Sequence, residues 1–169
     1  MQILLSTEQL HLTIKRLSLQ LIENQADMAD VVFVGIQPRG VQIGNRIMEA
    51  IAASTGGNSP QYGLLDITFY RDDIREELHE AKETTITQSI EGKKVILIDD
   101  VLYTGRTIRA ALDALQDFGR PQKVELCVLV NRRFNRELPI QPDYYGIAID
   151  TKPNQKVKVE WDREEVVIY

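Results

Sequence analysis

The sequence is poor in cysteine, with Cys127 the only one among 169 residues, so no disulfide can form within the chain. Cys127 stands in an apolar run from 124 to 130, which indicates an inert core residue rather than a nucleophile. No apolar run approaches the length needed to cross a bilayer, so we expect no membrane partner. Met1 leads directly into an amphipathic pattern without a basic leader, which favours a cytoplasmic protein.

Two common nucleotide-binding motifs are also missing. No G-x-x-x-x-G-K-[ST] segment occurs, which argues against a P-loop ATPase, and no G-x-G-x-x-G follows a predicted strand. Histidine is scarce, since only His11 and His79 are present. His11 falls near a predicted helix start and His79 in an acidic segment, so we expect both to be structural or solvated rather than catalytic.

The most informative segment that is present runs from Val95 to Thr107 and reads Val-Ile-Leu-Ile-Asp-Asp-Val-Leu-Tyr-Thr-Gly-Arg-Thr. Its first four residues are apolar and typical of a buried parallel strand. Asp99 and Asp100 follow at the predicted carboxyl edge of that strand, where open α/β sheets bind ligands. The chain then enters a helix predicted over 106–118, and a helix N-terminus is suited to binding an anion.

The residues between the strand and the helix indicate a ligand that carries phosphate. Gly105 permits close approach of the backbone, and the hydroxyls of Thr104 and Thr107 suit a phosphate monoester, to which Arg106 adds charge. The two aspartates would repel that phosphate, so we expect them to meet paired hydroxyls, a developing cation or a metal on the ligand. A phosphorylated sugar satisfies both requirements. A strand that ends in Asp-Asp also occurs in receiver domains, and that alternative stays open at this point.

Strands and helices alternate along the chain, which predicts an α/β fold with a mostly parallel sheet in a single domain of residues 1–169. The acidic segment at about 72–91 holds seven acids against two bases and is predicted to be a flexible lid. Short strands predicted at 147–149, 157–161 and 166–169 suggest a small hood built from about 140–169. The other elements are predicted as helices near 6–21, 41–51 and 106–118 and strands over 31–36, 64–70, 95–98 and 124–130.

The segment from 95 to 107 resembles the phosphoribosyl pyrophosphate (PRPP) signature of type I phosphoribosyltransferases. It is most similar to one subgroup, the pyrimidine operon attenuation regulators that are also uracil phosphoribosyltransferases. Further segments agree in the same order along the chain, at 34–40, 66–73, 119–121 and 136–144. The resemblance covers nearly the whole chain and implies a three-layer fold with helices flanking the sheet.

The resemblance implies that a ring nitrogen of uracil displaces pyrophosphate from PRPP, with Mg²⁺ on the pyrophosphate, to give UMP. It does not assure any side chain as a direct magnesium ligand, although the ion on PRPP would come near Asp99. The implied catalytic residues are Asp99, Asp100 and Arg71. The implied phosphate-binding residues are Val101, Leu102, Tyr103, Thr104, Gly105, Arg106 and Thr107, and the implied pyrophosphate-binding residues are Pro38, Arg39 and Gly40.

The residues themselves leave the base and the balance of two functions open. The chain is expected to be a transferase for uracil, with another base as the alternative, since backbone atoms can read uracil without a trace in the sequence. The competing function is a regulator that binds a messenger RNA leader and has little transferase activity. Such a surface must be basic, and the candidates are Arg16, Arg132, Arg133 and Arg136. The resemblance also implies a homodimer or larger homo-oligomer.

Overall fold

The computed structural model describes residues 1–72 and 81–169, and these ranges contain three α-helices and eight strands. The helices are α1 Thr7–Glu23, α2 Arg39–Ser54 and α3 Arg106–Leu115. The strands are β1 Gln2–Leu5, β2 Val31–Ile36, β3 Gln61–Leu65, β4 Lys94–Leu102, β5 Lys123–Arg133, β6 Tyr144–Asp150, β7 Val157–Glu160 and β8 Glu165–Ile168.

Five strands form a fully parallel sheet in the order β3-β2-β4-β5-β6, with helices on both faces. Alternate side chains of a strand point to opposite faces. Phe33 and Ile96 therefore pack in one core with α1 and α2, while Val32 and Leu97 pack in a second core with α3. These two cores confirm the predicted three-layer α/β architecture.

The chain reverses its direction of travel across the sheet between β2 and β4. From β2 the sheet extends one way to β3, and from β4 it extends the other way through β5 to β6. Gly35 near the end of β2 pairs with Ile98 of β4, so the segments that follow these two positions leave the sheet side by side. Such a switch point opens a crevice in which α/β proteins bind ligands.

The hood differs from the predicted segment of about 140–169. Its three antiparallel strands lie in the order β1-β8-β7, whereas β6 is the fifth strand of the main sheet. The short strand β1 was not predicted because its partner, β8, lies at the other end of the chain. Lys158 of β7 lies within electrostatic range of Arg39 at the start of α2, so the hood stands beside the crevice.

The strand predicted over 64–70 is also shorter than expected. β3 ends at Leu65, and a 3-10 turn follows at Thr68–Tyr70. Asp66 initiates this turn because its Oδ1 accepts hydrogen bonds from the Thr68 amide (3.3 Å) and the Thr68 hydroxyl (2.8 Å). An aspartate that bonds the backbone two residues onward is a turn signal, which the apolar pattern obscured.

A buried carboxylate, Glu125, ties together the strands on one side of the sheet. Its Oε1 accepts from Lys94 of β4 (3.2 Å) and Lys123 of β5 (2.8 Å), and its Oε2 accepts from the Tyr144 hydroxyl of β6 (2.8 Å). Burial by itself would raise the pKa of Glu125, but the hydrogen bonds from Lys123, Tyr144 and Lys94 outweigh it and lower the pKa.

This lowered pKa makes the contribution of Glu125 depend on pH. The contribution is present above the unfolded-state pKa of about 4.3 and is lost as the pH falls through the lower folded-state value. We expect Glu125→Gln to reduce the free energy of unfolding by about 2 kcal/mol at pH 7, because charged hydrogen bonds are lost, and by much less at pH 3. Urea titrations at the two pH values measure both quantities.

The matched control is Glu160→Gln in the hood, since Glu160 pairs with an exposed lysine, Lys158, at 2.9 Å. An exposed pair contributes little, so this change is expected to cost less than about 0.5 kcal/mol. An equal loss for Glu125→Gln at pH 7 and pH 3 would show that the Glu125 charge does not stabilise the sheet.

Candidate functional site

The two aspartates lie inside β4 rather than beyond its end. The strand was predicted to stop at Ile98, but β4 and β5 continue to pair out to Leu102 and Asn131. Asp99 is therefore only 6% exposed and Asp100 only 7% exposed. The strand continues because its partner β5 also extends well past its predicted end. The pair is thus held rigidly in the sheet at the edge of the crevice.

Burial disfavours the charged form of both carboxyl groups. Burial and the neighbouring charge of Asp100 raise the pKa of Asp99 well above its usual value. Burial also raises the pKa of Asp100, although the Arg39 guanidinium opposes that rise. Local amides give partial relief, since the Asp100 amide donates to Asp99 Oδ1 (2.9 Å) and the Val101 amide donates to Asp100 Oδ1 (2.7 Å). Hydroxyl donors or positive charge on a ligand would supply the stabilisation that the aspartates lack.

The segment predicted to bind pyrophosphate begins α2. Pro38 occupies the N-cap position, and Arg39 is the first helical residue and is exposed. Gly40 packs directly on β4, because a Cβ atom there would lie 2.3 Å from the carbonyl oxygen of Ile98. Only glycine permits this approach, which brings the start of α2 and Arg39 up to the aspartates.

The loop after β4 forms the start of α3. Gly105 has φ +94°, a conformation that glycine adopts without strain, and occupies the N-cap position of α3. The Arg106 amide donates to the hydroxyl of Thr104 (3.3 Å). The first turn of a helix presents amides that the helix itself cannot satisfy, and here it faces the same crevice edge as the aspartates. The phosphate site predicted at Tyr103, Thr104, Gly105, Arg106 and Thr107 thus lies between the end of β4 and the first turn of α3.

Two residues predicted to bind phosphate belong to the core instead. Leu102 is 2% exposed and packs in the α3 core, and Val101 packs against the core shared by α1 and α2. Both are strand residues of β4, which is longer than the sequence pattern indicated. Their side chains pack against protein on either side of the sheet, so the predicted contact with phosphate would have to come from their backbone.

Residues at the start of the predicted lid lie close to α3. Arg71 follows the 3-10 turn and is half-buried. Asp72 pairs with Arg109 (2.7 Å) and Arg106 (3.4 Å), and Arg106 also pairs with Glu137 (2.5 Å). Within the predicted lid of about 72–91, residues 73–80 lie outside the described residues. The end of that segment is not a lid, because the Thr85 amide donates to the Leu64 carbonyl of β3 (2.9 Å) and Ile90 is buried in the core with α3.

Two of the four arginines proposed for RNA are internal. Arg132 is 5% exposed, donates to the Thr151 hydroxyl and the Gln155 carbonyl (both 3.0 Å), and stacks over the Tyr103 ring at 3.8 Å. Arg136 is half-buried and donates to protein acceptors only. Both side chains are thus engaged with the protein, and their predicted contact with RNA stays a prediction.

The other two arginines of that set are exposed but are engaged with the protein. Arg133 forms a two-point ion pair with Asp150 (2.8 and 3.1 Å). Arg16 donates to the Gly146 carbonyl of β6 (2.5 Å) from the outer side of α1. These two arginines could therefore contact RNA only through the part of each side chain that stays exposed.

The described residues contain no group of three or more histidine, cysteine, aspartate or glutamate side chains able to hold a metal ion. A magnesium ion that arrives on a diphosphate would find oxygen donors of the kind it prefers at Asp99 and Asp100. Within 1–72 and 81–169, no helix has both the length and the apolar composition that spanning a bilayer requires.

Comparisons with known proteins agree with this geometry. The family described as "Phosphoribosyl transferase domain" matches residues 2–164. The "Bifunctional protein pyrR" of Enterococcus faecalis is 47% identical over 151 residues, which cover 89% of this chain and 84% of that protein. The "Bifunctional protein PyrR" of Haemophilus ducreyi is 46% identical over 168 residues, which cover 98% and 93%.

Solved structures share the fold at low sequence identity. The hypoxanthine phosphoribosyltransferase of Trypanosoma cruzi aligns with TM-score 0.74 and 18% identity over 99% of this chain and 95% of that one. A hypoxanthine phosphoribosyltransferase from Staphylococcus aureus aligns with TM-score 0.73 and 21% identity over 98% and 90%. These similarities extend across the main sheet and the hood alike.

Replacing an aspartate of the pair tests whether it serves a ligand or the fold. The raised folded-state pKa of Asp99 means that its carboxyl group favours folding below the unfolded-state pKa of about 3.9, and this contribution is lost as the pH rises through the folded-state value. Asp99→Asn and Asp100→Asn are therefore expected to be at least as stable as the parent at pH 8, while turnover falls about 100-fold or more. Urea unfolding at pH 5 and pH 8 measures the stability, and steady-state assays of phosphoribosyl transfer measure the turnover. A large loss of stability at pH 8 would show that the charged pair holds the strand.

Proposed function

The chain belongs to the phosphoribosyl transferase family, and we propose that it transfers the phosphoribosyl group of PRPP to uracil, giving UMP and pyrophosphate. One observation carries this proposal. A single strand, β4, supplies a buried aspartate pair and leads directly into the anion-binding start of α3. Ribose hydroxyls and a 5-phosphate belong to one ligand, so a phosphorylated sugar could engage both neighbouring parts of this site.

In this proposal the site separates the charges of the ligand. The amides and hydroxyls of the loop from Tyr103 to Thr107 bind the 5-phosphate. Asp99 and Asp100 accept hydrogen bonds from the ribose hydroxyls and stabilise positive charge as it develops on the ribosyl carbon. Their raised pKa values support this role, since carboxylates without a full set of partners gain most from a ligand that brings donors and positive charge.

The leaving group is placed on the other side of the crevice. Arg39 and the backbone at Pro38 and Gly40 are proposed to bind the pyrophosphate, with Arg71 as a further contact. Magnesium bound to PRPP neutralises charge on this group. The bond from the ribosyl carbon to the pyrophosphate oxygen breaks, a bond to a ring nitrogen of uracil forms, and the proton of that nitrogen leaves to solvent.

The choice of uracil rests on the relatives rather than on a side chain. The proteins that are 46–47% identical to this chain are called PyrR, and the resemblance noted above is to regulators that are also uracil phosphoribosyltransferases. The hypoxanthine phosphoribosyltransferases are 18–21% identical and support the fold alone. Another base is therefore the alternative within the same reaction.

The decisive experiment measures pyrophosphate release from PRPP and Mg²⁺ with uracil, hypoxanthine, guanine, orotate and xanthine supplied separately. We expect release with uracil and a rate at least 100-fold lower with each of the others. Release with a different base would keep the reaction and replace uracil. Absence of release with every base, together with tight binding of UMP, would instead favour a nucleotide-responsive regulator.

The word "bifunctional" in the names of the relatives favours a second candidate function, binding of a messenger RNA leader. We propose that such binding would use the exposed Arg16 and Arg133 in a homodimer or larger homo-oligomer in the cytoplasm. Replacing both with alanine is then expected to weaken RNA binding and to reduce the salt slope by about 1 to 2, while pyrophosphate release is unchanged. Filter binding between 50 and 200 mM salt measures this slope, and size-exclusion chromatography with light scattering measures the oligomeric state. An unchanged slope would exclude these two arginines as RNA contacts.

A further inference from the structure

The Arg136 guanidinium joins two segments: the loop of residues 103–107, called the phosphate loop, and the segment that follows β5. Its Nη1 donates to the carbonyl oxygens of Tyr103 (2.5 Å) and Arg132 (2.8 Å), with a longer contact to Leu102 (3.4 Å). Its Nε donates to the Ile140 carbonyl (2.8 Å), and its Nη2 donates to the side-chain oxygen of Asn131. A guanidinium has five N–H groups in a fixed plane, and here they serve acceptors from both connected segments.

The next residues of the same segment hold the next carbonyl of the loop. The Thr104 carbonyl accepts from the amides of Glu137 (2.9 Å) and Leu138 (3.2 Å). Two consecutive loop carbonyls, those of Tyr103 and Thr104, are therefore directed toward residues 136–138.

Because each peptide unit is planar, the direction of these carbonyls also fixes the direction of the neighbouring amides. In a trans peptide the C=O of one residue and the N–H of the next point in opposite directions. Fixing the carbonyls of Tyr103 and Thr104 toward residues 136–138 therefore directs the amides of Thr104 and Gly105 to the opposite side, where α3 begins. Successive amides on one side of a loop form an anion-binding concavity.

We propose that Arg136 is a positioning residue for the phosphate of PRPP. It contacts the backbone of the loop rather than the ligand, and it orients the amides of Thr104 and Gly105 before the phosphate arrives. The inference rests on the proposed phosphoribosyl transfer and adds to it a residue that the sequence had suggested for RNA. Preorganised amides bind an anion without the cost of ordering a loop.

Two neighbouring contacts act in the same direction. The buried Arg132 stacks on the Tyr103 ring, which immobilises the first loop residue. The Arg106 side chain is occupied by Glu137 and Asp72, so the charge of Arg106 is partly neutralised by the protein. With Arg106 paired in this way, phosphate affinity in this proposal depends on the orientation of the loop amides, which Arg136 holds.

The test compares ligands with and without the phosphate in Arg136→Lys and Arg136→Gln. Lysine keeps the positive charge but replaces the planar fork by a single ammonium group. We expect both changes to raise KM for PRPP and Kd for UMP and for ribose 5-phosphate by tenfold or more. KM for uracil and Kd for uridine should change less than twofold. The matched control is Arg120→Gln, an exposed arginine at the opposite edge of the sheet, which should leave every value within twofold.

The outcomes separate positioning from general stability. Equal weakening of UMP and uridine would overturn the proposal, as would unchanged UMP binding in a folded Arg136→Lys protein. If Arg136→Gln does not fold, Arg136→Lys decides by the same comparison. If the parent protein binds ribose 5-phosphate but releases no pyrophosphate with any base, the proposed reaction fails, while ribose 5-phosphate against ribose still tests Arg136.

Discussion

The site depends on one structural constraint, the pairing of β4 with β5 beyond the point where the apolar sequence of β4 ends. This pairing reaches Leu102 and Asn131 and so keeps Asp99 and Asp100 inside the sheet. It also fixes where the phosphate loop starts, because Tyr103 is the first residue after the strand. Arg136 follows the end of β5 and meets the loop because β5 ends only two residues beyond the partner of Leu102, the last residue of β4. The register of β4 against β5 therefore determines the positions of the aspartates, the phosphate loop and Arg136.

Charge is distributed around this edge so that each part of a polyanionic sugar meets a different environment. The aspartates are buried and short of partners, while Arg39 stands beside them at the start of α2. The phosphate loop relies on amides, since Arg106 is paired with Asp72 and Glu137. The carboxylates repel phosphate, so a phosphate group of PRPP would not occupy the position intended for the ribose hydroxyls. In the proposed function, this separation would set the direction of the ligand as well as its affinity.

Local patterns in the sequence predicted the local parts of the structure. The apolar run of β4, the Asp-Asp pair and the glycine before α3 are contiguous, and each is specified by its own neighbours. The strand β1 and the roles of Arg132 and Arg136 were not predictable in this way, because each depends on contacts with residues distant in the chain. The length of β4 falls in the same class, since its continuation through Asp99 and Asp100 depends on pairing with β5, a strand some thirty residues away in the chain.

Arginine illustrates why composition alone misleads about binding surfaces. Arg132, Arg133 and Arg136 form a basic cluster in the sequence. Arg132 is nevertheless buried, and the Arg136 guanidinium donates to backbone carbonyls. A guanidinium can replace water for several carbonyls at once, so it stabilises an irregular connection between strands that no ladder satisfies. Carbonyls at the carboxyl ends of parallel strands need such a donor, because the strands stop there without a partner. A basic residue just after a central strand is therefore as good a candidate for internal support of a ligand loop as for contact with a polyanion.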